Sequence, residues 1–536
     1  MKAPAQKSNP KQRAKAFPKG RQVDINAIND LKKTFNDAPF ERDLLIEYLH
    51  TINDKFGYLS PQHIQALASL MGLAQIDVYE TARFYAHFSV LTDHETPPPP
   101  ITLRICDGPT CRMTGAKTLL KEALSAFSNQ VNVVSAPCVG ACDTPPAALL
   151  GKNRILNANM DTIGQDIQLG HTAPKTSFPS SVFAPASPKK DAHIIEILDQ
   201  AGLRGCGGAG FPTAQKWRFF NDAPHPRVLV VNADEGEPGT FKDRYLFENH
   251  MDQVLAGICL AAQTLEVQDV YVYLRDEYPH IHQALKKILP TLKIQGVRFH
   301  LRRGAGAYVC GEETSLIESL EGKRGLPRNR PPYPAQNGFM GRPTITQNVE
   351  TLYWIAEIVE HGVNRYIQQQ RPRFYSVSGR IRQPGVFRAP STATVTELIE
   401  AADGMIEGHL FTAFLPGGAS GGIFPASFAD KAMNFGVFEE FGGFVGSGAL
   451  TILSNHDDVW DVARTLSQFF ADESCGQCTP CRVGTQKIIA LLNNAKDNEK
   501  LIRELATTMG EASICGLGQA AANPVITLFN HGAEKP

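Results

Sequence analysis

The stretch R-G-C-G-G-A-G-F-P-T-A-Q-K-W, residues 204–217, decides how the rest of the chain is interpreted. Its four glycines are Gly205, Gly207, Gly208 and Gly210. Glycine permits positive φ and close backbone approach, and a glycine-rich turn that opens a helix presents free amide groups to phosphate. With the flat faces of Phe211 and Trp217 and the cation of Lys216, the stretch predicts a site for a planar, phosphate-bearing cofactor. An ordinary glycine-rich turn explains the same letters equally well, because short glycine patterns are common.

Length, charge and cysteine usage narrow the class of protein. A chain of 536 residues suggests about three or four domains, and a net charge of -1 gives no reason to expect nucleic-acid binding. No apolar run approaches the roughly 18 residues of a membrane span, and the N-terminus lacks the apolar core of a secretory signal. Eleven clustered cysteines without such a signal favour metal or redox chemistry in a reducing compartment. We therefore expect a cytoplasmic protein with no membrane span.

The N-terminal part divides into a tail and a helical region. Residues 1–39 are predicted as a basic tail, since residues 1–23 contain seven Lys or Arg, no acid and three prolines. This tail is either solvated or laid on an acidic partner subunit. Residues 40–95 carry apolar positions at helical spacing and a Ser60-Pro61 helix start, which predicts a small helical bundle. Its third helix is expected over residues 76–88.

A first set of four cysteines lies in residues 100–170. Cys106 ends a predicted strand, Cys111 follows after four residues, and Cys138 and Cys142 form a second close pair 26 residues on. Four thiols in two tight pairs suit zinc or a [2Fe-2S] cluster. The wide spacing within each pair favours iron–sulfur over a zinc ribbon, and buried free cysteines are the minor alternative.

The glycine stretch lies in a predicted α/β domain, residues 191–370, after a Pro/Ser/Ala-rich linker over 171–190. The buried strand Val228–Val231 is followed by N-A-D-E-G-E, at the strand end where α/β folds place ligands. We therefore expect these residues to contact a ligand, and the alternative interpretation is a solvated acidic loop. A second glycine-rich turn, residues 302–315, leads into a helix and contains two adjacent acids. A further helix is expected to start within residues 346–351.

The C-terminal third contains the sharpest motif. Residues 371–450 are predicted as a small α+β domain without chemistry of its own, and residues 451–536 as helical. Cys475, Cys478 and Cys481 form C-x2-C-x2-C, and Cys515 lies 34 positions further on. Three cysteines at that spacing crowd a single zinc ion, so the pattern favours a [4Fe-4S] cluster. A helix is expected only after the motif, over residues 486–492.

Together these stretches resemble the flavin- and NADH-binding subunit of respiratory complex I, fused behind its small thioredoxin-like [2Fe-2S] subunit. The likeness runs from about residue 40 onward, and residues 304–319 and 473–484 are similar to that family's two diagnostic motifs. It implies a multidomain α/β and α+β architecture. The implied parts are an N-terminal helical bundle, a thioredoxin-like ferredoxin domain, a Rossmann-like FMN/NAD domain, a ubiquitin-like domain and a C-terminal helical [4Fe-4S] bundle.

The resemblance also implies the roles of individual residues. For FMN and NAD it implies four groups of contacts. The first glycine loop contributes Gly205, Gly207, Gly208, Gly210, Phe211 and Lys216, and the strand end contributes Asn232, Asp234 and Glu235. The acidic pair is Glu312 and Glu313, and the contacts on the phosphate side are Asn348 and Thr351. We expect Glu235, Glu312 and Glu313 at the catalytic site of hydride exchange. The implied ligands of the [2Fe-2S] cluster are Cys106, Cys111, Cys138 and Cys142, and those of the [4Fe-4S] cluster are Cys475, Cys478, Cys481 and Cys515.

Three positions depart from the family pattern. Cys206 stands where complex I has Arg, Ala214 where Gly is usual, and Gln347 where a second Asn is usual. We expect the missing Arg to weaken phosphate affinity and Cys206 to be accessible beside the flavin. The glycine loops show no Arg specific for a 2′-phosphate, so the preference for NAD over NADP rests on the resemblance.

Residues 18–24, 41–47, 473–487 and 512–523 look most like the β subunit of molybdenum- or tungsten-dependent formate dehydrogenase. The implied function is a diaphorase that takes electrons from a molybdopterin-containing α subunit, through Fe–S clusters and FMN, to NAD+. One alternative is the diaphorase subunit of a bidirectional NAD-reducing hydrogenase. Another is an electron-transfer scaffold without nucleotide catalysis.

Overall fold

A computed structural model describes residues 21–36, 38–174 and 193–532. Residues 1–20 of the predicted tail and residues 175–190 of the predicted linker lie outside these ranges. No helix among the described residues is long and apolar enough to cross a bilayer.

The first helix lies inside the segment predicted as a tail, which corrects that boundary. The Asp24 carboxylate accepts hydrogen bonds from the backbone amides of Asn26 and Ala27, and Leu31 and Phe35 are buried, so capping and an apolar stripe define a helix here. The helical region comprises α1 (Ile25–Phe35), α2 (Leu45–Phe56), α3 (Pro61–Met71) and α4 (Gln75–Phe84). The fourth of these ends before the predicted residue 88, because Tyr85 is extended.

The next domain is a mixed sheet flanked by helices. Its elements are β1 (Thr102–Cys106), α5 (Pro109–Met113), α6 (Ala116–Phe127), β2 (Asn132–Ala136), β3 (Ala148–Leu150), β4 (Asn153–Ile155) and α7 (Met160–Gln168). The strand order is β2-β1-β3-β4, with β1 and β2 parallel. Cys106 is the last residue of β1 and Cys111 lies in α5, and the second cysteine pair follows β2.

The central domain is a parallel sheet with helices on its faces. Its strands are β5 (Val228–Ala233), β6 (Asp269–Leu274), β7 (Arg298–Arg303) and β8 (Thr344–Asn348), in the order β7-β6-β5-β8. Its helices are α8 (Ile194–Ala201), α9 (Thr213–Asn221), α10 (Lys242–Asn249), α11 (Met251–Thr264), α12 (Pro279–Ile288), α13 (Glu313–Leu320), α14 (Val349–His361) and α15 (Val363–Gln368). The direction of the strand order reverses between β5 and β8. This reversal creates the crevice in which doubly wound folds bind ligands.

The last two domains are a mixed sheet and a helical bundle. The sheet contains β9 (Arg373–Gly379), β10 (Gly385–Ala389), α16 (Val395–Ala401), β11 (Phe411–Leu415), β12 (Phe424–Pro425) and β13 (Ala449–Ser454), in the strand order β10-β9-β13-β11-β12. The bundle contains α17 (Val459–Asp472), α18 (Thr479–Leu491), α19 (Ala495–Ala512), α20 (Gly516–Ala520) and α21 (Asn523–His531). Helix α18 begins inside the cysteine motif and not at residue 486, because Cys478 takes the cap position and Pro480 suits the first turn.

One apolar core joins the two ends of the chain through the central domain. It runs from Leu31 and Leu45 of the N-terminal bundle, through Val309 and Leu316, to Leu466 of the C-terminal bundle. The second glycine-rich turn is therefore clamped between the two helical regions. The predicted multidomain α/β and α+β architecture is confirmed.

Candidate functional site

The two strands at the reversal point bring two predicted site residues side by side. Asn232 of β5 and Asn348 of β8 are direct partners in the parallel register. The Asn232 amide donates to the Gly311 carbonyl oxygen (2.8 Å), and Asn348 caps α14 by accepting from the Glu350 backbone amide (3.0 Å). The strand β8 continues through residue 348, so the helix starts at Val349, within the predicted range. Both glycine turns and both strand ends therefore meet at one crevice.

The first glycine loop is a tight turn closed at its base. The Gly205 amide donates to the Phe211 carbonyl oxygen (2.9 Å), and Gly208 and Gly210 adopt φ values of +124° and +63°. A Cβ atom at Gly207 would lie 3.1 Å from Cβ of Asn348. The backbone of Gly207 therefore lies so close to Asn348, at the end of β8, that a side chain at position 207 would be crowded. Its tip is open, and the Phe211 ring is 45% exposed, as a stacking surface requires.

Lys216 connects three parts of the crevice. Its Nζ atom donates to Oε2 of Glu313 (3.0 Å) and to the Thr346 carbonyl oxygen (2.9 Å). Arg330 lies 3.4 Å from Oε1 of Glu313, so the carboxylate is flanked by two cations. Sequence reasoning missed Arg330, because it lies in a Pro/Gly-rich excursion with no periodic pattern. Glu312 instead caps α13, accepting from the amides of residues 314 and 315.

The acids after β5 divide differently from the sequence expectation. Glu235, predicted at the catalytic site, is buried and accepts from the backbone amides of Asp243 (2.7 Å) and Arg244 (3.1 Å) and from Oη of Tyr278 (2.9 Å). Its carboxylate therefore caps α10, and its expected place at the catalytic site stays a prediction. Glu237, the third acid of this loop, was not among the predicted site residues and accepts from the Tyr308 hydroxyl of the second glycine turn.

Burial changes the protonation of this strand end. It raises the pKa of Asp234 from 3.8 to about 7, although Arg275 opposes the shift. It also raises the pKa of Glu235 to about 7, and the charge of Asp243 adds to the effect. Burial of a carboxyl group in a poorly polarisable interior disfavours its charged form. The crevice therefore carries less negative charge near neutral pH than its sequence suggests.

A buried ion network supports the crevice from below. The Nζ atom of Lys242 lies 2.8 Å from Asp243 and 3.0 Å from Glu350, and the Asn348 amide donates to Asp243 (2.7 Å). Burial alone would lower the pKa of Lys242, but the two carboxylates raise it, so the ammonium group stays charged. This network fixes Asn348 beneath the glycine loop. The sequence analysis did not predict this network, because its members lie far apart in the sequence.

Cys206 is buried, which corrects the expectation of an accessible thiol. The residue is 2% exposed, and burial raises the pKa of its thiol to about 12. Its backbone amide donates to Oγ1 of Thr351 (2.9 Å), which ties the first glycine loop to α14. Thr351 thus supports the loop as a hydrogen-bond acceptor.

The first four cysteines converge in the ferredoxin-type domain. Cys106, Cys111, Cys138 and Cys142 are all buried and free of disulfides. The Sγ atoms of Cys138 and Cys142 are 3.8 Å apart, and the Cys106 thiol interacts with those of Cys111 and Cys138, which raises its pKa. The Gly140 amide donates to Sγ of Cys138 (3.4 Å), as a donor that would stabilise a thiolate. Four converging, otherwise unpaired thiols fit a [2Fe-2S] cluster.

The other four cysteines converge at the starts of two helices. Cys478 occupies the N-cap position of α18, Cys481 lies in the first turn of that helix, and Cys515 occupies the N-cap position of α20. Burial raises the pKa of the Cys481 thiol to about 11, and the charges of Cys478, Cys515 and Cys475 contribute. Helix N-termini and four neighbouring thiols fit a [4Fe-4S] cluster.

The second set adjoins the crevice directly. The Tyr308 backbone amide donates to Oε2 of Glu473 (2.8 Å), two residues before the first cysteine of the motif. The Tyr308 ring packs against Phe469, with ring centroids 5.0 Å apart. The second glycine turn therefore packs directly against the segment that carries the cysteine motif.

Three family models match the chain. Residues 198–357 match the Nuo51 FMN-binding domain, residues 461–535 the NADH-ubiquinone oxidoreductase-F iron–sulfur binding region, and residues 31–168 the thioredoxin-like [2Fe-2S] ferredoxin. The chain is 38% identical to the F subunit of NADH-quinone oxidoreductase from Aquifex aeolicus over 352 residues, which are 61% of this chain and 81% of that one. It is 36% identical to the F 2 subunit of NADH-quinone oxidoreductase from Rhizobium meliloti, over 63% of this chain and 86% of that one.

A solved structure extends the likeness to the fused N-terminal domains. A chain of an NAD+-reducing [NiFe]-hydrogenase, crystallised in the H2-reduced state, superimposes with a TM-score of 0.81 at 30% identity, covering 92% of both chains. Fold, crevice and matches define the class: an NAD-dependent oxidoreductase of the diaphorase type, which uses FMN, a [2Fe-2S] cluster and a [4Fe-4S] cluster. Within that class, the chain belongs to the family of NADH-quinone oxidoreductase F subunits.

Proposed function

We propose that this chain is the diaphorase subunit of an NAD-linked formate dehydrogenase. In this proposal, electrons from formate oxidation in a molybdopterin-containing partner subunit reach NAD+ through the clusters and the flavin, reversibly. The observation that carries the diaphorase part is the contact of Tyr308 with Glu473, which joins the flavin-side turn to the [4Fe-4S] ligand loop (2.8 Å). Electron transfer between a flavin and a cluster requires such proximity.

The residues of the crevice bind and orient, and they need not transfer protons. FMN, when bound, exchanges a hydride with nicotinamide and single electrons with iron–sulfur centres. The backbone amides of the first glycine loop suit its phosphate, and Asn232 and Asp234, at the end of β5, would contact its ring. Phe211 offers its exposed ring to the dinucleotide. The two cations around Glu313 keep that carboxylate fixed beside the loop.

The identity of the electron donor is the finer part of the proposal. Four blocks of the sequence, residues 18–24, 41–47, 473–487 and 512–523, support formate through their resemblance to formate dehydrogenase β subunits. A hydrogenase partner is the second candidate, because the NAD+-reducing [NiFe]-hydrogenase chain matches 92% of this chain, including the fused ferredoxin domain. The local chemistry of the crevice is the same for both. We also propose that the protein acts in the cytoplasm.

The deciding experiment is an affinity purification of the tagged chain from its host, with assays of NAD+ reduction by formate and by hydrogen. Formate-dependent activity together with a large molybdopterin-containing partner is the expected result. Hydrogen-dependent activity alone would transfer the chain to the hydrogenase candidate. The isolated chain should reduce ferricyanide with NADH in either case, and its failure to do so with all cofactors bound would leave only an electron-transfer scaffold.

A further inference from the structure

A buried arginine links the [2Fe-2S] ligand loop to the flavin-side strand end. Arg275 directly follows β6 and is 4% exposed. Its Nη2 atom donates to the carbonyl oxygen of Cys138 (2.6 Å), and its Nη1 atom donates to the carbonyl oxygen of Glu235. A single guanidinium group therefore holds a cluster ligand and the loop after β5 at the same time. The roles predicted from the sequence do not include it.

The neighbours of Arg275 keep its side chain in one position. Glu277 accepts from Nη2 (2.8 Å) and Nε (3.2 Å), in the bidentate geometry that suits a guanidinium. The Tyr278 ring lies 5.1 Å from the guanidinium carbon, and its hydroxyl donates to Glu235 (2.9 Å). A Cβ atom at Gly140, between the second pair of cysteines, would lie 2.3 Å from Oη of Tyr278. Residues 275–278 thus lock the cysteine loop against the central domain.

The charge balance of this segment has two parts. Arg275 is a buried cation in contact with the backbone of a cluster ligand, and Glu277 is its buried counter-ion. Burial alone would raise the pKa of Glu277, but Arg275 and His87 hold it below its ordinary value, so Glu277 stays ionised. His87 lies 3.5 Å from Glu277 on the other side, and Asp276 lies 3.3 Å from His87. Arg275 therefore supplies a buried positive charge in direct contact with the ligand loop, and Glu277 moderates it.

We propose that Arg275 is a positioning residue that raises the reduction potential of the [2Fe-2S] cluster while fixing its ligand loop to the flavin-side strand end. One-electron reduction adds a negative charge to the cluster. A fixed positive charge in a water-poor interior stabilises the reduced form, and hydrogen bonding around the ligands tunes the potential in the same way. The inference rests on the [2Fe-2S] ligand assignment and is independent of which partner delivers electrons.

The test is a redox titration of the full chain with its clusters in place, in which the EPR signal of the reduced [2Fe-2S] cluster is recorded at each potential. Arg275→Gln should lower the equilibrium constant for reduction about tenfold, which is about 59 mV for one electron. Arg275→Lys should give a smaller decrease, because it keeps the charge and loses the fork geometry. Glu277→Gln should shift the potential in the positive direction, because the cation then lacks its counter-ion.

The matched control is Arg227→Gln. Arg227 is also buried (6% exposed), and it donates to the carbonyl oxygens of Asn221, Ala223 and Leu265, none of which adjoins a cysteine of either set. This control should leave the potential unchanged, and the [4Fe-4S] signal of each variant serves as an internal reference. If residues 275–278 had a purely structural role, Arg275→Gln and Glu277→Gln would both lose the cluster or would both shift its reduction potential in the same direction. The proposal instead predicts shifts of opposite sign in these two variants.

Several outcomes would overturn the proposal. An Arg275→Gln protein with a full [2Fe-2S] signal and an unchanged potential would do so. If that variant fails to retain the cluster, Glu277→Gln alone decides, and an unchanged or more negative potential counts against the proposal. A wild-type chain with no [2Fe-2S] signal after reconstitution would instead refute the ligand assignment itself.

Discussion

Replacing Gly210 by alanine tests whether the first glycine loop is the FMN-binding element. Gly210 has φ of +63°, and a Cβ atom there would lie 2.7 Å from the Phe435 ring. That ring cannot retreat easily, because the guanidinium groups of Arg204 and Arg373 lie 5.1 Å and 4.2 Å from its centre. The substitution therefore introduces both backbone strain and a steric clash.

The two effects set the expected magnitude. A non-glycine residue in the left-handed region costs about 1–2 kcal/mol, and overpacking a well-filled site costs about 1–3 kcal/mol. Their sum, about 2–5 kcal/mol, opposes the loop conformation that presents amides to phosphate. Because about 1.4 kcal/mol is a factor of ten in affinity, FMN should bind at least about 30-fold more weakly.

The measurement is FMN affinity by fluorescence titration of the flavin-depleted chain, with bound flavin quantified after gel filtration. The control is Gly72→Ala, since Gly72 ends α3 with φ of +65° and has no atom within 4 Å of an added Cβ. That variant carries the backbone strain without the clash and lies outside the crevice, so it should bind FMN normally. A Gly210→Ala protein with an FMN dissociation constant within about threefold of wild type would refute the reasoning.

Three further expectations follow from individual residues. Cys515→Ser should remove the [4Fe-4S] EPR signal and leave the [2Fe-2S] signal, whereas Cys259→Ser, in the apolar core of α11, should leave both; equal loss in the two variants would contradict the ligand assignment. The buried Cys206 should resist a maleimide in the native chain and react in denaturant, so native labelling at that peptide in a mass-spectrometric map would contradict its burial. Because burial raises the pKa of Asp234 to about 7, the native state favours its protonated form, and stability is lost as pH rises from its ordinary value of 3.8 through about 7. The Asp234→Asn side chain cannot ionise, so this variant should have a higher Tm than the wild type, and the difference should be larger at about pH 8 than at about pH 5.5. The Tm is measured on flavin-depleted protein. A difference that does not change with pH would show that Asp234 is ionised throughout this range.

The sequence alone predicted the features that depend on local patterns. Cysteine spacing predicted both ligand sets, because each set contains at least two cysteines that lie within five positions of each other. The buried strand Val228–Val231 and the turn before α13 followed from apolar runs and glycines. Helix starts were less predictable: Asp24 caps a helix inside the predicted tail, and Pro480 opens α18 within the cysteine motif. Each of these helix starts depends on a single residue. The basic composition of the tail hid the first, and the cysteine motif hid the second.

What the sequence did not show is which acid faces which partner. Glu235 and Glu237 are two residues apart in the loop after β5, and no local pattern predicts that the first caps α10 while the second accepts from Tyr308. The backbone amide of the buried Cys206 donates to Thr351, which is 145 positions away. Arg330 likewise meets Glu313 only when the central domain folds, and Arg275 reaches the Cys138 carbonyl only when two domains pack together. Long-range pairing of polar groups has no periodic signature, which is why it escaped prediction.

These long-range contacts have a common consequence for how the crevice and the two ligand sets depend on each other. On one side, Arg275 binds the Cys138 carbonyl and the Glu235 carbonyl together; on the other, Glu473 binds the Tyr308 amide. A displacement of either cysteine loop must therefore move a flavin-side loop, since Arg275 is buried, the Tyr308–Glu473 contact is half-buried, and exchanging such partners for water is costly. Cluster loading and flavin retention should thus be coupled within this chain, whichever partner supplies the electrons.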